Sequence, residues 1–217
     1  ATTFVVLAGA FGLFMAWGIG ANDVANAMGT SVGSRALTVY QAVVIAAIFE
    51  FGGAVLAGGQ VTSTIRKGIV DASLFADAPE LLVYGMLASL LAAGVWLLVA
   101  SRVGWPVSTT HSIVGAIVGF AAVGIGPESV NWGKVGSIVM SWVVSPVMGG
   151  LVAFLLFKFL TDQVFRRRNP LLYAKRILPF MIFLVCVILA NAMFYKGLKN
   201  LHLDFSFVQA IVYSIVF

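Results

Sequence analysis

Asp23 stands between two long apolar stretches, inside Gly20-Ala21-Asn22-Asp23-Val24-Ala25-Asn26-Ala27-Met28-Gly29-Thr30-Ser31. An ionised carboxylate there costs about 2.5–3.5 kcal/mol on insertion scales. Such a group lines an ion path or pairs with a buried cation, and the first reading is preferred to a structural ion pair. In helical conformation Asn22, Asn26 and Thr30 fall four apart on one face, with Asp23 adjoining it. One carboxylate, amide oxygens and a hydroxyl suit a small hard cation. A second constellation is Pro106-Val107-Ser108-Thr109-Thr110-His111. Ser108 is placed as an N-cap, with Thr109 and Thr110 in the first turn. A helix N-terminus presents unpaired N–H groups and partial positive charge, and the hydroxyls add donors, which together make an anion site. Capping and interhelix hydrogen bonding explain the same residues equally well. His111 reads as a structural partner beside the cap. Glu50 is a second intramembrane acid and a functional candidate. Arg66 and Lys67 could attract an anion, but a solvated loop end is their commoner explanation.

The elements that must position these groups are transmembrane helices. Of 217 residues, 61% are hydrophobic and 10% charged, against about 25% charged in soluble domains. Mean hydropathy is +1.04. A spanning helix needs about 20 apolar residues. Ala36–Ala57, Leu81–Ala100, Val107–Val123, Val135–Phe157 and Ile177–Phe194 approach or reach that length. Thr3–Ile19 starts a first helix, which the polar motif should interrupt. Backbone groups in hydrocarbon need internal partners, so these runs are helices, and strand alternation is absent.

The net charge of +5 does not indicate nucleic acid. Arg166, Arg167, Arg168, Lys175 and Arg176 cluster between two apolar runs, as the positive-inside rule marks a cytoplasmic loop at 162–176. Cys186 is the sole cysteine, which implies no disulfide or metal cluster. Counting crossings back from that loop puts Arg66 and Lys67 outside, against the rule. A Gly-rich segment that enters and returns on one side would explain this. The organisation expected is a repeat over 1–160 carrying both motifs, a basic loop over 161–176 and further helices over 177–217. The terminal run Phe205–Phe217 has 13 residues and the chain lacks an initial methionine, so a fragment is expected.

An acid beside an anion site is repulsive unless a cation neutralises the acid. A coupling ion, Na⁺ or H⁺, then favours the anion through linkage, which is the logic of a symporter. Gly20–Gly29 (GANDVANAMG) and Pro106–His111 (PVSTTH) resemble the two signature motifs of the inorganic phosphate transporter (PiT) family, and Thr64–Asp71 and Glu50 after Phe49 are similar too. The resemblance covers Gly20 to about Gly124. It implies an all-α integral membrane fold, a multi-helix bundle with broken or re-entrant helices at both motifs, forming one half of an inverted-repeat transporter. It implies phosphate uptake coupled to Na⁺ or H⁺ across the cell membrane, with no other cofactor. It assigns Asn22, Asp23, Ser108, Thr109 and Thr110 to phosphate and Asn22, Asp23, Asn26 and Glu50 to the cation, with His111, Arg66 and Lys67 supporting. Each motif occurs once here, so a second half or another chain is the expected partner, and a homodimer is a further candidate. The competing readings are an anion channel, which Asp23 and Glu50 oppose electrostatically, and an intramembrane serine hydrolase built on Ser108, His111 and Asp23, which lacks the G-x-S-x-G elbow.

Overall fold

A computed structural model describes residues 2–70, 75, 78–195, 203 and 205–216, without the side chains of 57 and 59–67. The side chains of Arg66 and Lys67, and most of the polar stretch Gly197–Asp204, lie outside the described residues. Seven α-helices are described: α1 Thr2–Gly33, α2 Val39–Gly68, α3 Pro79–Val103, α4 Thr109–Gly124, α5 Trp132–Leu160, α6 Pro170–Tyr195 and α7 Phe207–Val216. A 3₁₀ turn (Pro127–Ser129) precedes α5 and a π turn (Thr161–Phe165) follows it. Five helical stretches, Thr2–Gly33, Val39–Leu56, Pro79–Val103, Trp132–Phe165 and Pro170–Tyr195, are long and apolar enough to cross a membrane. The protein is a multi-pass, all-helical membrane protein.

Three boundaries differ from expectation. α1 runs unbroken through the Asn-Asp motif, because a polar side chain on a helix face leaves the backbone ladder intact, and the glycines cost only about 1 kcal/mol each. α2 continues past Ala57 to Gly68 as one helix, in place of a re-entrant segment. Thr38 starts it with a capping box: its hydroxyl accepts the Gln41 N–H while Gln41 Oε1 accepts the Thr38 N–H. α4, where a full span was expected, has 16 residues, about 24 Å at 1.5 Å per residue, short of a hydrocarbon core about 30 Å thick.

The chain divides into two compact units, Ala1–Gly53 with Thr62–Val135, and Ala54–Val61 with Gly136–Phe217. In the first unit α1 and α3 run parallel and in register. The Phe4 ring meets Tyr84 edge-on at 5.3 Å, Phe14 and Met15 face Gly94, Gly18 faces Leu97, and Asn22 meets Ser101. Each pairing climbs both helices together. α4 returns antiparallel to α3: Ser89 Oγ donates to Ala116 O at 3.2 Å, and the Phe120 ring fills the space left by Gly85. Met15, Ala93 and Leu97 form the core of this three-helix seam, with Ile19, Leu90, Val107 and Ile113 against it. Water is absent on the lipid side, so close backbone approach at small residues, rather than hydrophobic expulsion, drives this packing. A Cβ on Gly94 would lie 2.8 Å from Phe14 Cδ1. Gly94→Ala should therefore cost about 1–3 kcal/mol through overpacking. Gly12, with nothing within 4 Å of its Cβ position, should accept alanine without loss. Thermal unfolding in detergent checks the pair, and equal melting temperatures would show that Gly94 is not a packing position.

In the second unit α6 packs on α7 through an aromatic cluster of Phe194, Phe205 and Tyr213, with centroids 5.4–6.0 Å apart. α5 and α6 have no buried residues, which fits surfaces that face lipid or further protein.

Candidate anion and cation site at the start of α4

The site grows from the turn that ends α3. Gly104 takes the left-handed conformation (φ 75°), and the Trp105 N–H reaches back to Ala100 O at 2.8 Å. Glycine tolerates that conformation without a Cβ penalty. Pro106 then disfavours helix at Trp105, and the chain runs extended into Ser108 (φ −84°, ψ 120°). Ser108 Oγ accepts the His111 N–H at 3.3 Å, and Ser112 Oγ donates to Ser108 O at 2.8 Å. α4 begins there as a capped helix, with its N-terminus level with Asn22 and Asp23. Asp23 lies about 15 Å short of the C-terminal end of α1, at 1.5 Å per residue. The positive end of the α4 dipole therefore opens within the length of the bundle, not at its edge.

Asn22 fixes this placement. Its side chain is buried. Its Nδ2 donates to Trp105 O at 2.9 Å, and its Oδ1 accepts the Val107 N–H at 3.2 Å. Longer contacts of 3.5 Å join Nδ2 to Ser101 Oγ and Asn26 Nδ2 to Asn22 Oδ1. One amide thus closes a carbonyl and an N–H of the α3–α4 turn. A cavity of about 240 Å³ lies on this face, between Asn22, Ala25 and Asn26 of α1 and Ser101, Gly104 and Trp105. Next to it, Thr109 Oγ1 donates to Asp23 Oδ2 at 3.2 Å.

The structure therefore brings together Asn22, Asp23, Asn26, Ser108 and Thr109. Thr110 and His111 are exposed in the first turn of α4. Glu50 is exposed on α2, and no hydrogen bond or ion pair among the described residues joins it to Asn22, Asp23 or Asn26. Ser101 and the Trp105 and Val107 backbone groups were not expected from sequence. Their only local signal is the Gly-Trp-Pro turn, which says where the helix stops but not what holds it. The bond between Ser108 and His111 is a backbone cap, not the base–nucleophile contact a hydrolase needs.

An apolar helical bundle with a capped helix start set beside an intramembrane acid has the architecture of a membrane transporter. A model of the phosphate transporter family matches residues 19–217, and the chain belongs to that family, one of transporters rather than enzymes. It is 52% identical over 182 residues to the chloroplastic Inorganic phosphate transporter 2-1 of Arabidopsis thaliana, covering 84% of this chain and 31% of that protein. It is 48% identical over 205 residues to a Haemophilus influenzae protein with a provisional phosphate permease name, covering 94% of this chain and 49% of that one. A solved structure of a sodium-dependent phosphate transporter superposes with a TM-score of 0.89 at 44% identity, covering 99% of this chain and 52% of that chain. The chain thus spans between about a third and about half of the length of these relatives.

Proposed function

We propose that the chain is one half of a secondary active transporter that moves inorganic phosphate across the cell membrane by symport with Na⁺, H⁺ being the alternative driver. The observation that carries this reading is the 3.2 Å hydrogen bond from Thr109 Oγ1 to Asp23 Oδ2. It joins a carboxylate fit for a cation to the first turn of a helix fit for an anion. A cation on Asp23 competes for Oδ2 and loosens that bond. The Thr109 hydroxyl is then free to turn toward phosphate beside the α4 N–H groups. The cation raises phosphate affinity, and by linkage phosphate raises cation affinity by the same factor. The sodium dependence named for the solved relative supports Na⁺.

Ser108 keeps its O–H proton for phosphate, because its capping bond uses only the oxygen as acceptor. Thr110 adds a further donor. Asn26 supplies an amide oxygen to the cation. Glu50, Arg66, Lys67 and His111 serve the assembled protein rather than this turn. The loop over 162–176 is cytoplasmic, by its charge. A second half, on the same polypeptide or another, completes the site, since one helix N-terminus approaches a tetrahedral anion from one side only; inverted repeats bring two such ends together.

The test is radiolabelled phosphate uptake into liposomes with Na⁺ and H⁺ gradients set independently. A symporter follows one of the gradients. Flux indifferent to both would make the protein an anion channel. The 217-residue chain reconstituted alone should not transport, and robust uptake by it as a monomer would remove the half-site proposal. Thr110→Val keeps shape and removes one hydroxyl. A hydrogen bond to a charged group contributes about 1.5–3 kcal/mol, so phosphate affinity should fall roughly tenfold or more. Unchanged affinity would take Thr110 out of the site.

A further inference from the structure

We propose that the turn between α5 and α6 holds the headgroup of an anionic phospholipid. The loop joins two membrane-length helices, so it lies at a membrane face whichever side that is. Its basic residues are not equivalent. Arg166 Nη1 donates to Asp162 Oδ1 at 3.0 Å, one helical turn back. Arg167 Nη2 donates to Gln163 Oε1 at 2.9 Å, and its guanidinium carbon stands 5.5 Å from the Tyr173 ring centroid. These two arginines brace the π turn and the start of α6. Arg168 and Lys175 are exposed and make no ion pair among the described residues. Both line one cavity of about 480 Å³, whose remaining wall is Asn169, Pro170, Leu171 and Leu172. Leu171 is 77% exposed and Leu172 51%.

That combination selects the ligand. Topology alone asks for charge anywhere in a short loop. It does not ask two unpaired cations to converge on a cavity with an apolar wall. All six lining residues are exposed, so the cavity is an open groove at the membrane face rather than an enclosed site. An anionic headgroup answers the two cations. The acyl chains below it answer the leucines at the foot of α6. Free phosphate satisfies only the charges and leaves the apolar wall wet. Basic pockets and juxtamembrane clusters of Lys and Arg recognise anionic lipids by this chemistry.

The experiment is native mass spectrometry of the purified protein in neutral detergent, titrated with phosphatidylglycerol or phosphatidylcholine. The protein should retain phosphatidylglycerol in preference to phosphatidylcholine. Near a membrane surface each cation contributes roughly fivefold in binding. Arg168→Gln with Lys175→Gln should then lower phosphatidylglycerol affinity roughly thirtyfold. Lys158→Gln with Arg176→Gln removes the same charge outside the cavity and should leave the preference standing. Lys175→Gln alone, expected to lose roughly fivefold, serves if the double variant does not fold. Equal losses in the two double variants would overturn the proposal in favour of diffuse attraction. So would displacement of the lipid by millimolar inorganic phosphate at constant ionic strength, which would make this a free-phosphate site.

Discussion

In the transporter assembled with its second half, Asp23→Asn is expected to abolish the cation dependence of phosphate uptake while the protein still folds and inserts. Asparagine has nearly the same shape, and its Oδ1 can still accept from Thr109 Oγ1, which in the native protein reaches Asp23 Oδ2 at 3.2 Å. Local packing is therefore kept, and only the charge is removed. A neutral amide binds a hard cation far more weakly than a carboxylate. Without the cation there is nothing to convert its gradient into phosphate affinity. Coupling free energies of about 1–3 kcal/mol correspond to about 5–150-fold in affinity, and that whole factor should vanish. Uptake driven by Na⁺ should fall to background, while exchange of phosphate without a gradient is retained in weakened form. The measurement is the initial uptake rate against Na⁺ concentration, with thermal stability as the control for folding. A variant with normal cation dependence would reduce Asp23 to a structural partner of Thr109.

The second large effect is expected at Asn22, for a different reason. Its amide closes the Trp105 carbonyl and the Val107 N–H at 2.9 and 3.2 Å from a buried position. Asn22→Ala leaves both backbone groups without that partner. An unsatisfied buried group costs about 1–3 kcal/mol; both bonds are only partly buried, so a combined loss of about 2–3 kcal/mol in stability is expected, with α4 no longer held level with Asp23. Asn22→Asp separates this role from cation binding. A carboxylate would improve a cation ligand. It would ruin the latch, because an oxygen would then face the Trp105 carbonyl oxygen. If Asn22 is the latch, both variants lose phosphate affinity by tenfold or more and melt earlier. Cation affinity preserved or raised in Asn22→Asp, at unchanged stability, would show that Asn22 is a cation ligand instead.

Both predictions concern residues visible in the sequence, and the two stand out there for different reasons. Asp23 stands out because a charge in an apolar stretch needs a reason, and the cost of burying it supplies one. Ser108 was placed as an N-cap from Pro106 and the apolar run after it, and it is the N-cap. The family could be recognised from the two motifs, and the match over residues 19–217 agrees. Asn22 was read as a ligand beside Asp23, since spacing put its amide on the same face as Asn26. In the structure that amide also bonds the turn after α3, some eighty positions along the chain. No local pattern reports a partner so distant.

Composition and apolar run length determined the membrane-spanning helices, because hydrocarbon leaves the backbone no other way to satisfy its hydrogen bonds. The caps at Thr38 and Ser108 were equally local, since each is closed within one turn of its own helix. The continuity of α1 through the Asn-Asp motif was not, because a helix survives polar residues when their side chains find partners outside it. Tertiary structure also decided the parallel register of α1 with α3. That register depends on which small residues, Gly18 and Gly94 among them, let two backbones approach across the seam. It sets Asn22 opposite Trp105 and Asp23 opposite Thr109. A sequence places a carboxylate and a helix start; only the packing of three helices brings them within one hydrogen bond of each other.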